Sequence, residues 1–234
     1  MLSFIVPAHD EAAFIGATLD ALRVAARALE LDHEIIVVDD ASTDATAAIA
    51  EDAGARVVRV AHRHIAATRN AGAAVAVGER LVFVDAETRV DAAVLAAAIA
   101  AMNRGAVGGG CALRLLGEVR WTERWFTALL MQVFRWTRIA PGCFVFCTRE
   151  AFDAVGGFDE RWYAGEDVAM SRALARQGRF VILREPVWTS DRKLRTFGVA
   201  VHLRFMLHFA LRGRRVLRSR EHLALWYDKR RLDR

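Results

Sequence analysis

The chain is short of glycine where two large classes of nucleotide-binding enzyme need it. Residues Pro7 to Glu11, which follow the first apolar run, contain no glycine. A Rossmann dehydrogenase carries Gly-x-Gly-x-x-Gly at that place, and a sugar nucleotidyltransferase carries a basic, glycine-rich loop there. The sequence therefore disfavours both classes.

Long apolar runs and clustered cysteines are also missing. No stretch reaches the roughly 18 uninterrupted apolar residues of a membrane span, and no basic, apolar leader precedes the first strand. The three cysteines, Cys111, Cys143 and Cys147, cannot all pair, and no histidines cluster near the last two. We therefore expect reduced, buried thiols rather than zinc ligands, in a cytoplasmic protein whose fold begins at Met1.

Residues 1–191 lack a net positive charge, and the excess of basic residues lies near the C-terminus. Residues 192–234 contain 13 Lys or Arg against 3 acidic residues, a net charge of +10; the whole chain carries +5, which leaves −5 for residues 1–191. Within this basic segment, residues 197–211 are predicted to form a helix, with apolar positions at Phe197, Val201, Phe205, Leu207 and Phe209. Two interpretations are open: the helix lies on an anionic membrane surface, or it packs against the rest of the protein with its basic face in solvent. Nucleic-acid binding is disfavoured because no recognised binding module accompanies the charge.

Short runs rich in Val and Ile alternate with amphipathic helical patterns across the first hundred residues. The predicted strands are residues 2–6, 34–38, 56–60 and 80–84, and the predicted helices are residues 12–29, 44–53, 66–77 and 91–104. Near-continuous apolarity is typical of strands that are covered on both faces. Together with 54% hydrophobic residues in 234, this alternation predicts one α/β domain with a mostly parallel sheet between two layers of helices.

Acidic residues stand at the ends of these apolar runs. The clusters are His9-Asp10-Glu11, Asp39-Asp40, Asp85-Ala86-Glu87 and, further along, Glu166-Asp167. Ligands of an open α/β sheet bind outside the carboxyl ends of its strands, so these side chains are expected to meet at one cleft. Carboxylates gathered there indicate a bound cation and a phosphorylated ligand.

Six motifs, in order and at similar spacing, resemble those of the family 2 glycosyltransferases of GT-A fold over residues 2–183. They are Pro7-Ala8-His9-Asp10-Glu11, Val37-Val38-Asp39-Asp40-Ala41-Ser42-Thr43-Asp44, Arg69-Asn70-Ala71-Gly72, Phe83-Val84-Asp85-Ala86-Glu87, Gly156-Gly157-Phe158-Asp159 and Gly165-Glu166-Asp167. The resemblance implies a GT-A domain over residues 1–191, with a donor half over residues 1–105 and an acceptor half over residues 106–191. The basic segment, residues 192–234, follows it.

The resemblance also implies which residues contact the nucleotide sugar. They are Pro7, Glu11, Asp39, Asp40, Ser42, Arg69, Asn70 and Asp85. Pro7 and Glu11 are expected to border the nucleobase and ribose, and Asp39 to recognise the base. Arg69 and Asn70 are expected to lie near the nucleotide and its diphosphate.

A divalent metal, Mn²⁺ or Mg²⁺, is implied at Asp85 and Glu87. The second acidic position of the family's motif is usually aspartate, so Glu87 reaches further by one methylene. Either Glu87 binds the ion directly and Asp85 binds it through water, or the reverse. A third ligand is not obvious: His202 and His208 are candidates, with exposed histidines of the basic segment as the alternative.

The catalytic base is implied to come from the acidic pair Glu166 and Asp167, with Asp167 preferred. A helix predicted to begin there should favour an ionised carboxylate. The expected activity is that of an inverting glycosyltransferase of hexosyltransferase type, which moves a sugar from a UDP or GDP donor to a hydroxyl acceptor. A lipid-linked acceptor and contact with the inner face of the membrane are hypotheses that the basic segment suggests. The alternative is a non-catalytic nucleotide-sugar-binding protein that acts through a membrane-associated partner.

Overall fold

The computed structural model describes residues 1–116 and 121–192. Within that part of the chain, eight strands form one sheet in the order β3-β2-β1-β4-β7-β6-β8-β5. The strands are β1 (Leu2–Ala8), β2 (His33–Asp40), β3 (Arg56–Val60), β4 (Arg80–Val84), β5 (Thr88–Arg89), β6 (Ala106–Leu116), β7 (Phe144–Thr148) and β8 (Arg179–Ser190). The predictions on residues 193–234, including the helix over residues 197–211 and the ligands His202 and His208, lie outside the described residues.

The first four strands are parallel, as the alternating pattern predicts. β1 lies between β2 and β4, with Phe4 opposite both Ile35 and Val82. The predicted strands at residues 56–60 and 80–84 have the observed bounds, whereas β1 and β2 each run two residues further than predicted. Because Asp39 still pairs with Ala8, and Asp40 with Val60, the two aspartates belong to the last residues of β2.

The second half of the sheet has mixed strand directions. β7 runs antiparallel to both β4 and β6, β6 runs parallel to β8, and β5 runs antiparallel to β8. Glycines in β6 allow its neighbours to approach closely: a Cβ at Gly109 would lie 2.2 Å from the carbonyl oxygen of Val181 and 2.6 Å from the Phe146 ring. No side chain fits there without moving the backbone of β8.

Seven helices within the described residues cover both faces of the sheet. They are α1 (Ile15–Ala28), α2 (Thr46–Asp52), α3 (Ile65–Val75), α4 (Ala92–Asn103), α5 (Trp121–Thr137), α6 (Arg149–Val155) and α7 (Glu166–Gln177). Alternate residues of β1 enter opposite cores: Phe4 packs with residues of α1 and α4, and Ile5 packs with residues of α3, α6 and α7. This burial on both faces explains why the strands read as continuous apolar runs.

Two expectations for helices need correction. The helix predicted over residues 44–53 begins at Thr46, with Ala45 at its N-cap and no side-chain cap. Asp44 instead accepts hydrogen bonds from the N–H of Thr46 (2.9 Å) and of Ala12 (3.1 Å), so it joins the start of α2 to the loop after β1. The spacing of Trp121, Trp125, Leu129, Val133 and Trp136 is typical of an amphipathic helix, and packing in the core is the default expectation for such apolar residues. They do lie on a helix, α5, yet all five are exposed, because the rest of the described domain covers another side of that helix.

The cysteines agree with the sequence-based expectation. Cys111 and Cys147 are buried, Cys143 is partly buried, and all three are thiols outside any disulfide. Burial raises the pKa of the Cys147 thiol, so the neutral thiol is favoured.

None of the helices in the described part of the chain is long and apolar enough to span a bilayer.

Candidate active site

The carboxyl ends of β1 and β2 place an unsatisfied acceptor at the edge of the sheet. Asp39 is 6% exposed, and its Oδ1 has no hydrogen-bond partner among the described residues. Pro7 lies beside it on β1, opposite Val38, and is buried. A buried carboxylate oxygen without a donor is costly unless a ligand supplies an N–H or O–H group. Asp39 is therefore suited to bind a ligand.

Asp40, by contrast, uses its carboxylate within the fold. It accepts hydrogen bonds from the backbone N–H of Arg63 (2.8 Å), the N–H of His64 (3.1 Å) and the hydroxyl of Thr68 (2.8 Å). These bonds hold the start of α3 against the end of β2. Its implied contact with a nucleotide sugar stays a prediction.

The loops after β1 and β2 are tied together by side chains near their predicted site residues. Ser42 Oγ accepts a hydrogen bond from the N–H of Asp10 at 3.0 Å, and Thr46 Oγ1 accepts one from the N–H of Glu11 at 2.8 Å. In the opposite direction, Asp10 Oδ1, in the loop after β1, accepts a hydrogen bond from the N–H of Thr43, in the loop after β2, at 2.6 Å. The two loops therefore act as one rigid rim.

A buried arginine joins two of the predicted acidic motifs. Arg69, on α3, is 2% exposed. Its Nη2 lies 2.9 Å from Asp85 Oδ1, and its Nη1 lies 2.8 Å from Glu166 Oε1. Nη2 also donates to the carbonyl oxygen of Gly142 at 2.8 Å. Burial would lower the pKa of Arg69, but the charges of Asp85 and Glu166 outweigh it and raise that pKa.

Asp167 stands next to this cluster in the first turn of α7. The preceding Gly165 has φ 74°, which turns the chain into the helix. Asp167 Oδ1 accepts from the N–H of Val168 at 2.8 Å, and a Cβ at Gly142 would lie 3.0 Å from Asp167 Oδ2. The lack of a side chain at Gly142 thus leaves room beside this carboxylate.

The pKa of Asp167 is raised, whereas the helix start was expected to favour the ionised carboxylate and so to lower it. Burial, followed by the charge of Glu166, raises its pKa to about 7, although Arg69 acts to lower it. The residue retains some exposed surface, but protein atoms surround its carboxyl group closely enough to limit hydration. The helix start does favour ionisation, but it is outweighed by desolvation and a neighbouring negative charge.

Glu87, the second acidic residue of the Asp85-Ala86-Glu87 motif, contacts a different arginine. Arg192 Nη2 lies 2.7 Å from Glu11 Oε1 and 3.0 Å from Glu87 Oε2, and its guanidinium lies over the Phe14 ring at 4.9 Å. Burial would lower the pKa of Arg192, but the hydrogen bond and charge of Glu11 outweigh it and raise that pKa. Asp85 and Glu87, although two residues apart, are therefore each neutralised by a separate arginine.

Asn70 supports a loop of the second half. Its Nδ2 donates to the carbonyl oxygen of Phe158 and to Glu160 Oε1, both at 2.9 Å, and its Oδ1 accepts from the N–H of Phe158 at 2.8 Å. All of these contacts lie in the loop between α6 and α7. Its implied place beside the diphosphate stays a prediction.

The residues fit a divalent cation at Asp85 more readily than at Glu87. The Asp85 side chain is 23% exposed, whereas the Glu87 side chain is 6% exposed and is held by Arg192. Glu87 nevertheless lines an open cavity of about 220 Å³. Within the described residues, no three His, Cys, Asp or Glu side chains are grouped as metal ligands. Carboxylate oxygens are suitable ligands for Mg²⁺ and Mn²⁺, so Asp85 is the better-placed ligand of the two.

Sequence reasoning missed three residues that shape the site. The carbonyl oxygen of Gly142 accepts a hydrogen bond from Arg69, and its lack of a side chain leaves room for the Asp167 carboxylate. The ring of Phe14 lies under the guanidinium of Arg192. His64, at the N-cap of α3, contacts Tyr163 with the two rings tilted by 58° and their centroids 4.6 Å apart. The Pro141-Gly142 dipeptide is a turn signal that could have drawn attention to the first. The other two follow from tertiary contacts alone.

The model of the family described as glycosyl transferase family 2 matches residues 3–156, about two thirds of the chain. The chain belongs to glycosyltransferase family 2. The matched range includes Asp39, Arg69, Asp85 and Glu87, and it ends before Glu166 and Asp167. A comparison with curated proteins gives no match.

Solved structures share the fold of this family 2 glycosyltransferase. The mannosyltransferase PcManGT from Pyrobaculum calidifontis, in complex with GDP-Man and Mn²⁺, is 21% identical with a TM-score of 0.66, and the match covers 88% of this chain and 64% of that one. This chain thus spans less than two thirds of its length. S. aureus TarS in complex with UDP-GlcNAc is 16% identical with a TM-score of 0.65, and the match covers 96% of this chain and 78% of that one.

A third solved structure is matched over a similar share of both chains. The mannosyl-3-phosphoglycerate synthase from Rubrobacter xylanophilus is 20% identical with a TM-score of 0.63, and the match covers 95% of this chain and 76% of that one. At these identities the likeness concerns the fold alone. It supports the GT-A architecture for this glycosyltransferase.

Proposed function

We propose that this glycosyltransferase transfers a sugar, with inversion, from a nucleoside-diphosphate sugar to a hydroxyl acceptor in a reaction that needs a divalent metal. The observation that carries the proposal is the Arg69 cluster. One buried guanidinium contacts both Asp85 and Glu166. The candidate metal ligand therefore lies close to the acidic pair that supplies the candidate general base. A metal-assisted displacement requires that proximity.

The donor base is bound at Asp39 in this proposal. Its unpaired Oδ1 would accept a hydrogen bond from a base N–H, as uracil and guanine offer. Similar structures contain GDP-Man and UDP-GlcNAc, which supports a UDP or GDP donor. Pro7 and the loops joined through Ser42 form the rim of that pocket.

The metal is held by Asp85, with Glu87 as the second ligand once Arg192 has moved away from it. When bound, the cation neutralises the charge that develops on the diphosphate leaving group. Arg69 fixes the orientation of the Asp85 carboxylate by a 2.9 Å ion pair.

Asp167 acts as the base in this mechanism. Glu166 forms an ion pair with Arg69 at 2.8 Å. Among the described residues, Asp167 accepts a hydrogen bond from one backbone N–H, that of Val168. Asp167 takes the proton of the acceptor hydroxyl as that oxygen attacks the anomeric carbon. A pKa of about 7 suits a general base that works near neutral pH, because such a group is both ionised and basic enough.

A metal-dependent thermal-shift screen over UDP- and GDP-sugars tests the proposal. A ligand that binds the native state alone raises its stability, so one donor should raise the melting temperature in the presence of Mn²⁺ and fail to do so with EDTA. If no donor is turned over but one still binds, the non-catalytic alternative replaces the enzyme. No contact among the described residues favours that alternative at present.

Membrane contact and a lipid-linked acceptor remain proposals for the segment beyond residue 192. Co-sedimentation with liposomes, with and without anionic lipid, measures the contact directly. We expect pelleting with anionic vesicles if the basic residues bind lipid. An absence of pelleting with both kinds of vesicle would remove the hypothesis.

A further inference from the structure

Helix α5 presents a row of large apolar side chains to solvent. Trp121, Trp125, Leu129, Val133 and Trp136 are 73%, 72%, 67%, 42% and 77% exposed. Because aromatic side chains bury about 150–250 Å² each when covered, the three tryptophans alone approach the roughly 300–600 Å² of the largest apolar patch on a typical monomer. A patch of this size marks an interaction surface.

The row lies on one side of the helix. Its members follow one another at intervals of four, four, four and three residues, which keeps them within about a third of the helix circumference. The buried Met131 points to a different side, where α5 meets the domain. Helix α5 is therefore apolar on two sides, and the described residues cover one of them.

The strand that leads to the basic segment ends beside the strand that precedes this helix. In the paired strands β6 and β8, Leu116 lies opposite Ser190. Helix α5 begins at Trp121, and the segment of residues 193–234 begins three residues after Ser190. At about 1.5 Å per helical residue, the row spans roughly 22 Å, and a helix over residues 197–211 would have nearly the same length.

The sequence of that segment repeats the period of the row. Its apolar residues with four-residue spacing are Phe197, Val201, Phe205 and Phe209. Rows with this spacing on two helices pack into each other's grooves in the commonest class of helix contact. We propose that residues 197–211 pack as a helix on the exposed row of α5, as an intramolecular cover. This proposal does not depend on the proposed function.

Two other occupants fit the observations less well. A second copy must compete with a segment of the same chain, whose effective concentration is in the millimolar range for a short connection. An interfacial membrane helix carries many Lys or Arg beside its apolar side, whereas α5 contains two arginines and one glutamate. The tethered segment is therefore the occupant that the described contacts favour.

Site-specific photo-crosslinking in the full chain tests the cover. Benzoylphenylalanine replaces Trp125, and in a control it replaces Val24, which is 68% exposed on α1. After irradiation and proteolysis, mass spectrometry should place the cross-links from position 125 within residues 197–211 of a monomer, and none there from position 24. Cross-links to a second chain, to added lipid, or to no part of the segment would overturn the proposal.

A pair of substitutions tests the packing side without a cross-linker. Phe205→Glu places a charge in the predicted row, and Leu203→Glu places the same charge on the opposite side of the same predicted helix. Hydroxyl-radical oxidation of Trp125, read by mass spectrometry, should become severalfold faster in the first variant and remain unchanged in the second. Equal rates in both variants and in the unaltered chain would contradict the packing.

Discussion

Two arginines each hold two carboxylates at the rim of the sheet, yet they are fixed in different ways. Arg69 is on a helix, its side chain is 2% exposed, and it has a third partner in the carbonyl of Gly142. Arg192 follows the last strand, its side chain is 11% exposed, and besides Glu11 and Glu87 it contacts the ring of Phe14. Arg69 is therefore enclosed by the domain, whereas the side chain of Arg192 is nearer to solvent.

The difference assigns different work to the two clusters. In the proposed mechanism, the Arg69 cluster keeps Asp85 and the candidate bases Glu166 and Asp167 in fixed positions, because misplacement by an ångström costs rate. The Arg192 cluster neutralises Glu11 and Glu87. We therefore propose that the first cluster orients the reacting groups and that the second covers an acidic position that a metal can occupy.

The largest effect is expected at Asp167, the carboxylate next to the Arg69 cluster. Asp167→Asn removes the proton acceptor but keeps the shape, so turnover should fall by about 10²–10⁴-fold, with donor affinity nearly unchanged. Initial rates and calorimetric donor titration measure the two quantities. Glu166→Gln is the matched control: if it loses more turnover than Asp167→Asn while remaining folded, the base is Glu166.

Stability should distinguish the two arginines. Arg69→Met leaves Asp85 and Glu166 without their counter-charge in a buried place, and breaking a buried pair in this way costs about 3–5 kcal/mol. Urea denaturation of the variant and the unaltered protein gives the free energy of unfolding. A loss below that of Arg192→Met would contradict the structural role of Arg69.

The raised pKa of Asp167 predicts how stability changes with pH. Its pKa rises from 3.8 to about 7 on folding, so between these values the native state holds a proton that the unfolded state has released. The free energy of unfolding therefore falls as pH increases from about 4 to 7, relative to Asp167→Asn, by on the order of 2 kcal/mol after allowance for partial hydration. Denaturation curves of both proteins at pH 4, 5.5, 7 and 8 measure it; parallel pH profiles would contradict the raised pKa.

The smallest effect on stability is expected at Arg192. Arg192→Gln should lower the free energy of unfolding by less than Arg69→Met does, because Glu87 lines an open cavity from which water can reach its carboxylate once the guanidinium is removed. It should also strengthen Mn²⁺ binding severalfold by releasing Glu87. Calorimetric titration with Mn²⁺ measures the affinity, and Arg161→Gln, which alters an exposed arginine paired with Asp159, serves as the control. Weaker Mn²⁺ binding in Arg192→Gln would show that Arg192 supports the metal site.

The sequence predicted the frame of the site better than its internal contacts. Strand ends placed Asp39 and Asp85 at one rim because continuous apolar runs mark buried parallel strands. The pairing of Arg69 with Glu166, 97 residues away, and of Arg192 with Glu11, 181 residues away, depends on tertiary packing that no local pattern encodes. The exposure of the tryptophans on α5 was missed for the same reason, since periodicity shows that a helix has an apolar side but not what covers it.

In the proposed mechanism, Asp39 and Asp85 border one pocket for a metal-bound nucleoside diphosphate. Calorimetric titration of the full chain with UDP and with GDP, with and without Mn²⁺, tests it most directly. One nucleotide should bind in a Mn²⁺-dependent manner, and both Asp39→Asn and Asp85→Asn should weaken that binding, whereas Asp20→Asn, at a carboxylate with 77% exposed side chain on α1, should not. Failure of both nucleotides to bind in the presence of Mn²⁺, or unchanged binding in both site variants, would contradict the account.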